Sequence, residues 1–106
     1  MLAQRETIRQ KYEATIELLG VPATVTNVKS GASVDCTVGF KSSNDEALIA
    51  AYGVGVKVVT VKECDVSVVE KLDAVTISTN RFTINEVFPV YLNELLVGWR
   101  CVIRGK

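Results

Sequence analysis

Apolar positions recur along this chain with two periods, and the change of period divides it. Between Leu2 and Leu19, Ile8, Tyr12, Ile16 and Leu19 are spaced as one face of a helix, while Arg5, Glu6, Arg9, Glu13 and Glu17 are polar. Gly20 supplies a C-terminal stop and Pro22 prevents continuation. From there the period becomes two. Ala23–Val28 is rich in Thr and Val, Lys29-Ser30-Gly31 is a turn, and Ser33–Phe40 alternates strictly, with Val34, Cys36, Val38 and Phe40 on one side. The pattern predicts a hairpin with one buried face.

Two stretches interrupt the alternation. Lys41–Gly55 opens with polar Lys-Ser-Ser-Asn-Asp-Glu, continues with apolar Ala47–Tyr52 and closes on Gly53-Val-Gly55. It predicts a long mobile excursion with room for a short helix. Tyr91–Val97 reads as a second loop, unusually apolar at Leu92, Leu95 and Leu96. Between them, Val56–Lys62 is a strand. Asp65 is placed to cap a turn or helix running to Leu72, with Val66, Val69 and Leu72 inward. Val75–Ser78 and Arg81–Val87 form a hairpin with Thr79-Asn80 at its tip, and Pro89 ends the second strand or marks a sheet edge. Trp99, Cys101 and Ile103 alternate with Arg100, Val102 and Arg104 in a final strand. The fold class is therefore mainly β: a small antiparallel sandwich or partly open barrel (22–105) with an N-terminal helix (2–19), in one domain spanning 1–106.

Composition narrows the chemistry. The 106 residues carry 48% hydrophobic and 23% charged side chains, enough for one core, and the formal net charge is zero, without the basic excess usual in a nucleic-acid binder. Histidine is absent, which removes the commonest general acid/base and metal ligand. Cys36, Cys64 and Cys101 are widely spaced and form no Cys-x-x-Cys pair; they read as small apolar strand residues in a reducing compartment. The first residues are too polar for a signal peptide, and no stretch approaches the ~20 apolar residues of a membrane span.

Candidate catalytic groups are sparse. Asp45-Glu46 lies in a polar stretch with nothing apolar to raise a carboxyl pKa, and Glu63 and Asp65 flank Cys64 as strand-end caps. Gly53-Val-Gly55 lacks the Gly-Lys-Ser/Thr ending of a phosphate loop. No catalytic, metal or cofactor site is assigned, and an enzyme is not expected. Phe82 and Trp99 beside Arg81, Arg100, Arg104 and Lys106 offer one alternative, a small single-stranded nucleic-acid-binding barrel. Leu48, Ile49, Tyr52, Leu92, Leu95 and Leu96 either fold back onto the core or meet a partner.

The order of segments carries a resemblance. Val38-Gly-Phe, a polar loop, Tyr52-Gly-Val-Gly-Val-Lys-Val and Val61-Lys-Glu-Cys-Asp-Val look like the middle of the lambda-type phage head–tail joining proteins. Leu72-Asp-Ala-Val-Thr-Ile, Asn80-Arg-Phe-Thr-Ile-Asn-Glu-Val and Gly98-Trp-Arg-Cys-Val-Ile-Arg-Gly resemble that family's C-terminal half. The resemblance spans roughly 21–105 and departs at the apolar Tyr91–Val97 stretch. It implies a structural virion protein of the neck, made in the host cytoplasm. Such a protein forms a ring, a hexamer in the virion, between portal or adaptor proteins on the head side and tail-terminator or tail proteins on the other. It helps retain packaged DNA, touching it without specificity in the channel. Tail-tube and tail-terminator subunits share a similar fold and are the nearest alternative. Under this reading Asn44, Asp45, Glu46, Leu48, Ile49, Tyr52, Leu92, Leu95 and Leu96 contact neighbouring subunits or the channel.

Overall fold

A computed structural model of the chain describes residues 2–42, 46–53 and 56–105, with side chains described from Thr7 onward. Six antiparallel strands close into a barrel in the order β1-β2-β3-β6-β5-β4. They are β1 (Val21–Thr26), β2 (Ser33–Ser42), β3 (Lys57–Lys62), β4 (Ala74–Ile77), β5 (Asn80–Leu92) and β6 (Leu95–Gly105). Helix α1 (Leu2–Leu19) precedes them, and a short α2 (Glu46–Tyr52) interrupts the β2–β3 connection. The expected sandwich or partly open barrel is thus a closed barrel with its N-terminal helix outside.

The alternation of β2 and β6 carries Cys36, Val38 and Phe40, and Trp99, Cys101 and Ile103, to the interior, but Val34, expected on the same side, is exposed near the start of β2. Val38, Val59, Val61, Val75, Ile84 and Cys101 are fully buried together, joined by Val25 and Ile103. A six-stranded barrel has a narrow interior, and short β-branched side chains fill it while suiting the pleated backbone. Phe40 and Phe82 pack at 5.8 Å between ring centroids beside this core. Trp99 joins them, and its indole N–H donates to the Val66 carbonyl at 3.1 Å. Both aromatics of the nucleic-acid alternative therefore serve the barrel's own packing.

Further expectations fail against the structure. Tyr91–Val97 is not a loop. Strands β5 and β6 stay paired, across two register shifts, as far as Leu92–Leu95, and Asn93-Glu94 alone makes the turn, with φ of 51° and 66°. Positive φ at both central residues suits a hairpin's twist, but the usual glycine is missing, so the sequence hides the turn. Pro89 does not end β5; it pairs with Trp99 where β5 has only β6 beside it, so it does lie at an edge. The segment after Asp65 is irregular, not helical. Val69 is buried, but Leu72 is 64% exposed at φ 76°. In the β4–β5 hairpin the turn falls on Ser78-Thr79, with the positive φ on Ser78.

That irregular segment, 63–73, crosses one end of the barrel and is tied by Asp73, itself 2% exposed. The carboxylate of Asp73 accepts from the backbone N–H of Glu70 at 2.9 Å and of Val28 at 3.3 Å. Two backbone hydrogen bonds, Ile84 N–H to Asp73 and Leu72 N–H to Ile84, continue the sheet past β4.

Candidate assembly surfaces

Helix α1 lies on the outside of the barrel across β2, β3 and β6, and its seat is built from small residues. At Gly98 an added Cβ would meet the Val61 carbonyl at 2.5 Å and the Tyr12 hydroxyl at 2.7 Å, so only glycine lets the helix lie this close. The Tyr12 hydroxyl is buried there with no hydrogen-bond partner among the described residues. Burial, with Cys101 adding to it, pushes its pKa up to about 12. One ion cluster pins the other half of the helix. The Lys62 ammonium, nearly inaccessible, donates to the Glu17 carboxylate of α1 and lies 3.1 Å from Asp65. Burial alone would lower its pKa; hydrogen bonds to Glu17 and Asp65 outweigh that and raise it.

Between α1 and the outer face of β2 and β3 runs an open apolar groove of about 580 Å³. Ile8, Tyr12, Leu19, Phe40 and Leu92 line it, and Lys11 and Lys41 are its charged residues. Volume and lining fall in the range of binding clefts. At its end Leu18 and Leu19 are 82% and 76% exposed. Sequence periodicity put Leu19 on the inner face, whereas α1 buries Ile16 and leaves its last turn in solvent.

The residues expected to contact neighbours do not form one surface. Asn44 and Asp45 lie outside the described residues. Glu46 opens α2, exposed, and Leu48, Ile49 and Tyr52 are half-buried on it. Tyr52 faces Glu86 and Arg104; desolvation first, then the Glu86 carboxylate, raises its pKa. Leu92, Leu95 and Leu96 sit at the far end of the β5–β6 hairpin, half-buried, and Leu92 reaches the groove under α1. Leu92 lies six positions along β5 from Glu86, roughly 20 Å along the strand. The exposed aromatics Phe88 and Tyr91 on the same strand escaped the sequence reading, because that stretch was divided between a strand end and a loop.

The three thiols are free, and all have raised pKa values with burial the first cause: about 11 for Cys36 and Cys64, about 12 for Cys101. Cys64 is not the strand residue expected; it is exposed in the turn after β3, where Glu13 also raises it. Protonated thiols at neutral pH are poor nucleophiles. Among the described residues no cluster of three or more Cys, Asp or Glu is placed to hold a metal ion, and no helix is long and apolar enough to cross a membrane. No family model matches the chain, and no curated protein matches it in sequence.

Proposed function

We propose that the chain is a structural subunit of a phage neck, one member of a ring that joins the DNA-filled head to the tail and helps retain the DNA. The observation that carries this reading is where the apolar residues lie. The barrel interior is filled by its own side chains, while Leu18, Leu19, Phe88 and Tyr91 stand outside it. A subunit that works by contact with neighbours needs such side chains outside its core, and a cyclic ring needs two different faces that fit each other. The resemblance in segment order to the lambda-type head–tail joining proteins supplies the place: portal or adaptor proteins on one side, tail-terminator or tail proteins on the other. The expected neighbour contacts are Glu46, Leu48, Ile49 and Tyr52 on α2 and Leu92, Leu95 and Leu96 at the hairpin end.

Electron microscopy of the assembled particle tests this. A ring of this chain between portal and tail is the expected result, and a particle whose neck lacks it refutes the reading. A ring found in the tail tube or at its end would move the chain to the tail-tube or tail-terminator class. The single-stranded nucleic-acid alternative is weakened by the packing of Phe82 and Trp99 into the barrel. A titration with single-stranded DNA at low salt, expected to show no binding, separates the two.

A further inference from the structure

We infer that the groove under α1 is a self-association site, filled in the free protein by the last turn of α1 from a second copy across a two-fold axis. Two observations meet there. The first is shape. The patch holds a hollow, the 580 Å³ groove with Leu19 in its wall, and beside it a protrusion, Leu18, which is strongly exposed. A two-fold contact requires a patch that is complementary to itself, and a knob next to a hole on one helix meets that requirement when the two helices run antiparallel.

The second is charge. The groove's charged residues, Lys11 and Lys41, are both cations. The last turn of α1 has no basic residue to balance the partial negative charge of its carbonyl end. Antiparallel pairing brings each helix end onto the lysines of the other copy.

This pairing concerns the isolated chain and stands apart from the ring, which is tested in the particle. Sedimentation equilibrium of the purified protein, from micromolar to submillimolar concentration, is the test. The wild type is expected to dimerise. Leu18→Asp, at a side chain the fold leaves in solvent, weakens the dimer by roughly 30-fold or more, as for a central apolar anchor, with an unchanged circular dichroism spectrum. Lys11→Glu weakens it by about tenfold and steepens its loss with salt. A wild type that stays monomeric throughout overturns the inference. So does a dimer indifferent to both substitutions, and so does an assembly larger than a dimer that Leu18→Asp dissolves, since that contact would not be two-fold.

Discussion

Gly98→Ala tests whether α1 is truly seated on the barrel. The new Cβ would lie 2.5 Å from the Val61 carbonyl and 2.7 Å from the Tyr12 hydroxyl, both far inside van der Waals contact. Overpacking of this kind costs roughly 1–3 kcal/mol, and removing a glycine from the unfolded chain returns about 0.4–1 kcal/mol. A net loss of about 1–2 kcal/mol follows, which for a domain of this size lowers Tm by roughly 5–15 °C. Tyr12→Phe should act in the opposite direction. It removes a buried hydroxyl that has no partner among the described residues and stabilises the wild type by about 1 kcal/mol. In the Gly98→Ala background its benefit should be larger by at least ~0.5 kcal/mol, because the oxygen struck by the new methyl is gone. Rescue stays incomplete, since the Val61 carbonyl remains. Urea denaturation of the four proteins gives the cycle, and hydrogen exchange on the α1 amides shows whether the loss is local. Strict additivity, or Gly98→Ala within ~0.3 kcal/mol of wild type, would refute the seating of Tyr12 on Gly98.

Three further outcomes follow from the same contacts. Cys101 and Tyr12 hold their protons more tightly folded than unfolded, so the folded state binds more protons above pH 9 and stability falls as pH rises. Cys101, moved from 9.0 to about 12, contributes a loss of about 2 kcal/mol by pH 10.5; equal unfolding free energies at pH 8 and 10.5 would contradict this. Removing both Glu17 and Asp65 (Glu17→Ala with Asp65→Ala) leaves the Lys62 ammonium buried without a carboxylate and costs roughly 3–5 kcal/mol. Lys62→Met, which removes the buried charge itself, stays within ~1 kcal/mol of wild type, as urea midpoints would show. Leu72→Gly relieves a positive φ at an exposed side chain and raises stability by about 0.5–1 kcal/mol, read as a Tm increase.

The helix, the alternation of β2 and the inward set of β6 were legible in the sequence because periodicity reports directly which side of an element is buried. What stayed hidden was set by tertiary context. Asn93-Glu94 turns a hairpin without glycine, so a long paired arm read as an apolar loop. Leu72 carries an inward-looking pattern, yet its N–H must reach the Ile84 carbonyl, and the backbone flips to positive φ to allow it. Of the contact residues, α2 was anticipated as a short helix. The groove was not, because it exists only where α1 meets β2, and neither element announces the other. Gly98 entered the sequence reading only as the first residue of the final motif; its role appears only once Tyr12 lies against it.

The barrel is closed, but unequally. β5 and β6 share ten paired positions around a two-residue turn, whereas β1 and β4 meet through three, between segments some fifty residues apart in the chain. The first pairing is local and cheap in chain entropy; the second fixes a long loop for few hydrogen bonds. The β1–β4 line is therefore the barrel's seam, the pairing with the fewest positions and the widest separation in sequence. Asp73 sits at its end, gripping Val28 just beyond β1 while its own backbone extends β4. One buried carboxylate thus acts as the clasp of the cylinder, at the joint with the fewest ladder pairs.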